Sequence, residues 1–292
     1  MSRLRPRAFL IGFAIGALLL GPVLPTLAQE RGNTVPRVSP NATVSQTIGV
    51  TTVKITYGRP SVQGRDIFGG LVPFGTVWRT GANEATTVSV STPVRVQGER
   101  LPAGTYGFFT IPGPDAWTLI FNAKANQWGA YNYDSSQDVL RVQAPPRSAD
   151  SKELMTFSFE NVTDTSAAAV LHWAETRVPF SITVNTPEVV RTRAAEAMAS
   201  ADDWRAPLQY VRYALRKEVL LDAALDWVNR SVEMEKRYLN LRMKAEVLAA
   251  NEQYGPAVEA GRTALKRAES MDDPPDNLDE LRSRVQQWAS NV

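Results

Sequence analysis

The sequence contains no cysteine and a single histidine, His172, in 292 residues. The first absence removes disulfides, thiolate catalysis and cysteine-based metal sites together. With one imidazole, a zinc or copper site has almost nothing to build from. A Ser–His–Asp arrangement would have to use His172 as its base, and nothing near it resembles a nucleophile elbow. His172 adjoins Trp173 in a strand-like run and reads as structural. The stretch Asp134 to Asp138 lacks the alternating oxygens and glycine of a calcium loop and reads as solvated. No phosphate loop is present, so no cofactor and no metal are expected.

A dominant charge is missing as well, and long apolar runs are confined to the start. Arg3, Arg5 and Arg7 precede an apolar stretch from Ala8 to Leu20, and the segment closes on Thr26-Leu27-Ala28. A positive start, a short apolar core and a small-x-small ending form the secretory pattern. The competing reading is a membrane anchor, but the run is short of the ~20 residues that span a bilayer. A signal peptide over residues 1–28 is therefore expected, leaving a mature chain that begins at Gln29 in the periplasm or outside the cell. The chain's +2 charge less the three leader arginines gives −1 for the mature protein. Such a chain has neither the basic footprint of a nucleic-acid binder nor a polybasic stretch for anionic lipid. Stable membrane insertion after cleavage is not expected.

Glycine also runs out. Beyond Asn185 the only glycines are Gly255 and Gly261, and the change marks a boundary. Before it, Val53, Ile55 and Tyr57 alternate with polar residues. So do Trp117, Leu119 and Phe121, then Met155, Phe157 and Phe159, then Val178, Phe180, Ile182 and Val184. Period-two alternation buries one face of a strand. Closely spaced turn residues without intervening helices predict an antiparallel β-sandwich or barrel. Gly58 to Gly81, rich in glycine and proline, reads as an extended ordered loop.

From Glu188 the period becomes helical. Ala224-Leu225, Val228 and Ser231-Val232 recur as Ala257-Val258, Gly261 and Ala264-Leu265, an offset of 33 residues. That is next to the ~34 of tetratricopeptide repeats, so residues 188–292 are expected to form helical hairpin repeats of that kind. Two recognisable copies are fewer than the three usually needed, which predicts further helices at Glu188–Ala199 and Leu278–Ala289. It also predicts docking on the β-rich part, with Trp204, Tyr210 and Tyr213 as the candidate docking face. The alternative is that these aromatics fill the tail's own core. The acidic run Asp272, Asp273, Asp276, Asp279, Glu280 suits the opening of the last helix.

One polar cluster stands out. Tyr57-Gly58-Arg59-Pro60-Ser61-Val62-Gln63-Gly64-Arg65-Asp66-Ile67-Phe68 leads on to Val77-Trp78-Arg79-Thr80-Gly81-Ala82-Asn83-Glu84, and later comes Asn126-Gln127-Trp128-Gly129-Ala130-Tyr131. With Leu101-Pro102-Ala103-Gly104-Thr105-Tyr106 and Phe109-Thr110-Ile111-Pro112, these motifs closely resemble the Domain of Unknown Function 2911 family of exported bacterial proteins. The resemblance covers residues 39–186, implies a β-rich domain there, and carries no assigned activity. Arg59, Arg65, Arg79, Asn83, Glu84, Trp128 and Tyr131 are the candidate ligand-binding residues, expected to converge in space.

Two readings of the cluster stay open. Arg79, Asn83 and Glu84 tie the loop down through buried pairing, or the arginines and aromatics line a pocket for a polar small molecule, a sugar or a peptide. The preferred function is a non-enzymatic binding or scaffolding protein of the bacterial envelope, with a protein partner for the helical tail. The alternative is a carbohydrate-active hydrolase using two of Asp66, Glu84, Asp134 and Asp138 as its carboxylates.

Overall fold

The computed structural model describes residues 31–32 and 34–292. The expected leader over residues 1–28 and the cleavage before Gln29 lie outside them. The N-terminal half forms two sheets. In the first the order is β1 (Asn41–Ile48), β2 (Thr51–Gly58), β3 (Thr86–Val90), β6 (Gly104–Ile111), β7 (Trp117–Asn122) and β8 (Asp138–Ala144). In the second it is β5 (Glu99–Leu101), β4 (Val94–Val96), β10 (Ser166–Thr183) and β9 (Arg147–Glu160). Neighbouring strands pair antiparallel throughout.

The barrel alternative is corrected: β1 and β8 are the open edges of the first sheet. Apolar faces are covered instead by the second sheet. In β2, Val53, Ile55 and Tyr57 are buried while Lys54 is exposed, and they share one core with Phe157, Phe180 and Ile182 of the other sheet. Phe108 stacks on Phe180 with ring centroids 5.7 Å apart, and Tyr57 meets Phe157 edge-on at 4.9 Å.

Between β2 and β3 the chain forms a long loop with no strand of its own. Its ends touch: Ala82 N–H donates to Gly58 C=O at 3.3 Å. A Cβ on Gly58 would lie 2.3 Å from the Ala82 carbonyl oxygen, so no larger residue fits there. Order comes from an apolar plug in place of a ladder. Ile67 and Val72 are buried, and Phe68 sets its edge against Trp117 at 4.7 Å and Trp173 at 5.9 Å. Edge-to-face pairs of this kind contribute ~0.5–1.5 kcal/mol each beyond the area they bury.

Six helices follow: α1 (Thr186–Ser200), α2 (Leu208–Lys217), α3 (Leu221–Met234), α4 (Tyr238–Ala250), α5 (Tyr254–Glu269) and α6 (Leu278–Ala289). The helices expected at 188–199 and 278–289 are α1 and α6. Asn185 caps the first, its side chain accepting from Glu188 N–H, while Asp279 and Glu280 sit in the first turn of the last. Ala224, Ala245, Ala257 and Ala264 are fully buried where helices meet. Buried Asn240 donates to the carbonyls of Ser231 (3.1 Å) and Glu235 (2.7 Å), fixing the α3–α4 turn.

The helices do contact the β-rich part, mostly through polar groups on turns. Arg193 donates to Val50 C=O at 2.9 Å, Lys217 pairs with Asp164, and Thr186 Oγ1 donates to Asp164 C=O. The proposed docking aromatics divide. Trp204 and Tyr210 pack within the helical core beside Trp227, so for them the docking reading is corrected. Only Tyr213 feels the β-rich part: burial first, then the Asp164 charge, hold its phenol above the ordinary range.

Helix contact at Gly261 leaves no room for a side chain. A Cβ there would stand 2.4 Å from Val285 Cγ2, whereas nothing lies within 4 Å of one on Gly255. Gly261→Leu is expected to cost ~1–3 kcal/mol by overpacking. Gly255→Ala should be neutral or stabilising by up to ~1 kcal/mol. Paired thermal melts check both.

Candidate functional site

Glu84 is the most constrained side chain in the candidate set. It is 3% exposed, and a buried carboxylate needs a partner. That partner is not Arg79, as the loop-tying reading supposes, but Arg37, whose guanidinium holds both carboxylate oxygens at 2.8–3.0 Å. Burial by itself would raise the Glu84 carboxyl; the Arg37 hydrogen bonds, with the charges of Arg37 and Arg31, outweigh it and hold the pKa below the usual range. Arg31 reaches across β2, donating to Thr56 C=O (3.0 Å) and Ala85 C=O (2.7 Å). Asn83 Nδ2 donates to Ser39 C=O. Together these bonds strap the segment before β1 onto the end of the long loop.

The same stretch holds a second loop. Ala85 N–H donates to Gln127 C=O at 2.9 Å, Gly129 N–H donates to Asn83 C=O at 3.0 Å, and Glu84 bridges Trp128. Trp128 and Tyr131 ride on that loop with 55% and 85% of their surface exposed. Arg59 points elsewhere, donating to Met155 C=O (2.9 Å) and Thr156 Oγ1 (3.0 Å) of β9. The seven candidates therefore fall into groups. Arg59 is a staple to the second sheet. Asn83, Glu84 and Trp128 form the strap junction. Arg65 and Arg79 line a cavity of about 320 Å³ under the long loop, and Tyr131 acts on Arg79 electrostatically without lining it.

That cavity is walled by Leu71, Trp78 and Trp173 as well as Ser39 and the two arginines. Trp78 stacks on Trp173 at 5.9 Å, and its backbone is fixed by two hydrogen bonds to Thr110, at 2.7 and 2.9 Å. Arg65 is held by its own turn, donating to Val62 C=O (2.9 Å) and Ser61 C=O (2.6 Å). Arg79 is different. Its Nε–H is buried without an acceptor, as is the indole N–H of Trp173. Burial lowers the Arg79 pKa, and the one acidic group that acts on it is the Tyr131 phenol, neutral at pH 7. Among the described residues, none that lines the cavity is acidic.

Two of the other three candidate carboxylates are engaged. Asp134 caps the short 3₁₀ turn Ser135–Gln137. Asp138 accepts from Asn122 (2.7 Å), Tyr133 (2.6 Å) and Arg141 (2.7 Å). Burial, then that Asp138 bond, push the Tyr133 phenol up to about 12. Residues 134–137 are exposed, in keeping with a solvated loop, and within it Asp134 caps the turn while Asp138 is paired. Asp66 is exposed. His172 shares a 2.9 Å hydrogen bond with Asp150 C=O. No group of three or more His, Asp or Glu side chains that could hold a metal occurs among the described residues.

Sequence reading missed Arg37, Arg31, Trp78 and Trp173. The available signal was chemical: a glutamate inside an apolar motif requires a cation, and Arg37 lies just upstream of the motif region. A larger concavity of about 740 Å³ lies among the helices, with Arg212, Arg216, Arg242 and Arg284 on its walls. Residues 39–182 match the model of the family described as Protein of unknown function (DUF2911), which supports the family over that stretch. Neither a curated protein nor a solved structure matches.

Because its folded pKa is depressed, Glu84 contributes stability that is present above its unfolded pKa of ~4.3 and lost as pH falls through the folded value. Glu84→Gln should melt below wild type at pH 7, and the gap between the two should shrink as the pH drops below about 4. Thermal melts of both proteins from pH 7 to pH 3 check this. A gap independent of pH would contradict the paired-carboxylate assignment.

Proposed function

We propose that this DUF2911-like domain belongs to an exported, non-enzymatic binding protein of the bacterial envelope, and that the cavity beneath the long loop takes its ligand. Arg79 carries the reading. A half-buried guanidinium with no carboxylate beside it and an unbonded N–H is a poor way to stabilise a fold, since buried charge is costly unless paired. It is a good way to bind something. Apolar walls with a few fixed donors are the usual composition of small-molecule sites.

The carbohydrate-active hydrolase reading needs two free carboxylates facing a cleft. Glu84, Asp134 and Asp138 are tied up in ion pairs and caps, and none of the described residues lining the cavity is acidic, which favours binding over hydrolysis. In this reading the two sheets around one core form an antiparallel sandwich. The helical hairpins are tetratricopeptide-like, and their arginine-lined concavity is the surface for a protein partner. The compartment follows from the secretory pattern of residues 1–28. N-terminal sequencing of protein from fractionated cells should find Gln29 first in the periplasm or medium, and intact Met1 in the inner membrane would overturn export.

The binding reading is tested by capture. Wild-type protein and Arg79→Met are incubated with a periplasmic extract, and retained small molecules are identified by mass spectrometry. A compound retained by wild type and lost from Arg79→Met is expected. Arg79→Met itself should melt at or above the wild-type temperature, because an apolar stem replaces an unpaired cation. Equal retention by both proteins, or a marked fall in melting temperature, would overturn the cavity's role.

A further inference from the structure

We infer that the cavity is selective for a small organic carboxylate with an apolar body. The inference rests on the cavity being the binding site and adds the chemical class of what enters it. Guanidinium and indole N–H groups can only donate. The two buried N–H groups left without acceptors, Arg79 Nε and Trp173 Nε1, belong to residues on the cavity wall. Arg79 itself lines the cavity, and none of the described residues beside it there is acidic, so its charge calls for an anion.

The number and kind of acceptors narrow the class. A carboxylate offers two coplanar oxygens, matching the arginine fork. Inorganic phosphate brings four oxygens and no apolar surface, so it would press hydrated oxygens against Leu71, Trp78 and the face of Trp173. Those walls instead reward an apolar ring or branched chain. Size excludes long ligands: about 320 Å³ is the liquid volume of about ten waters at ~30 Å³ each. A neutral amide of the same shape keeps the apolar contact but leaves the Arg79 charge uncompensated, so it is discriminated against.

The test is a calorimetric and thermal-shift titration of the full mature chain with benzoate and indole-3-acetate. Benzamide, indole-3-acetamide and inorganic phosphate are run in parallel. At least one carboxylate should bind about tenfold or more tightly than its amide. Arg79→Lys should lose about tenfold in that affinity, because the ammonium keeps the charge but not the fork. Amides binding as well as carboxylates, or phosphate binding in their place, would overturn the inference while leaving the cavity as the site. No response to any probe, with Arg79-dependent capture of a non-acidic compound from the extract, would also overturn it and leave the site standing. No response together with no Arg79-dependent capture would bring down both.

Discussion

The arrangement around the cavity depends on one buried ion pair. Glu84 lies at the end of a loop whose backbone groups bond in two directions, and its carboxylate is out of water. A lone buried carboxylate is untenable, so Arg37 must be brought to it from 47 residues away in sequence. That requirement carries the segment before β1 across the mouth of the loop, where Val38 and Ser39 become part of the cavity wall. Arg31 follows, spending its hydrogen bonds on the Thr56 and Ala85 carbonyls. The pair, with the Asn83–Ser39 hydrogen bond, fixes that side of the cavity.

Two arginines of the cavity region thus have opposite roles. Arg37 neutralises a carboxylate and is held by it, whereas Arg79 has its backbone carbonyl bonded to Thr86 N–H and its charge uncompensated. A protein that keeps such a group forgoes stability at that position, a trade expected where a site is pre-organised for something that arrives later. The neighbouring Trp78, Trp173 and Phe68 rings make the wall rigid as well as apolar. Donors held on rigid rings lose little entropy on binding.

The helical region meets the β-rich part through Val189 and a modest set of polar contacts, while its own interior interleaves leucines, valines and aromatics with alanines, one glycine and a buried asparagine. Small residues let helix axes approach closely, and this is why Gly261 sits against Val285. Its large aromatics satisfy the helices' own need for a core, which a single hairpin lacks. At the interface with the β-rich part, Val189 packs on the β core and Arg193, Lys217 and Thr186 make polar contacts from α1 and α2.

Local periodicity by itself determined β2, β7, β9 and β10, the helical character of the tail and the boundary near Asn185, and glycine and proline content marked the strandless loop. Alternation at Val53, Ile55 and Tyr57 or at Leu241, Ala245 and Leu248 is a local property that burial on one face imposes. The motifs around Arg59, Arg79 and Trp128 likewise marked the family and the region of the cavity. Partner choice was decided only by the tertiary structure. Nothing in the spacing of Arg79 and Glu84, five residues apart, says that the glutamate is taken by Arg37 and the arginine left open. Nor does the sequence say that Trp173, in β10, lies against the loop following β2. Pairing of charges and rings across long separations depends on how sheets stack and where loops close, and side-chain chemistry constrains only that a buried charge finds some partner.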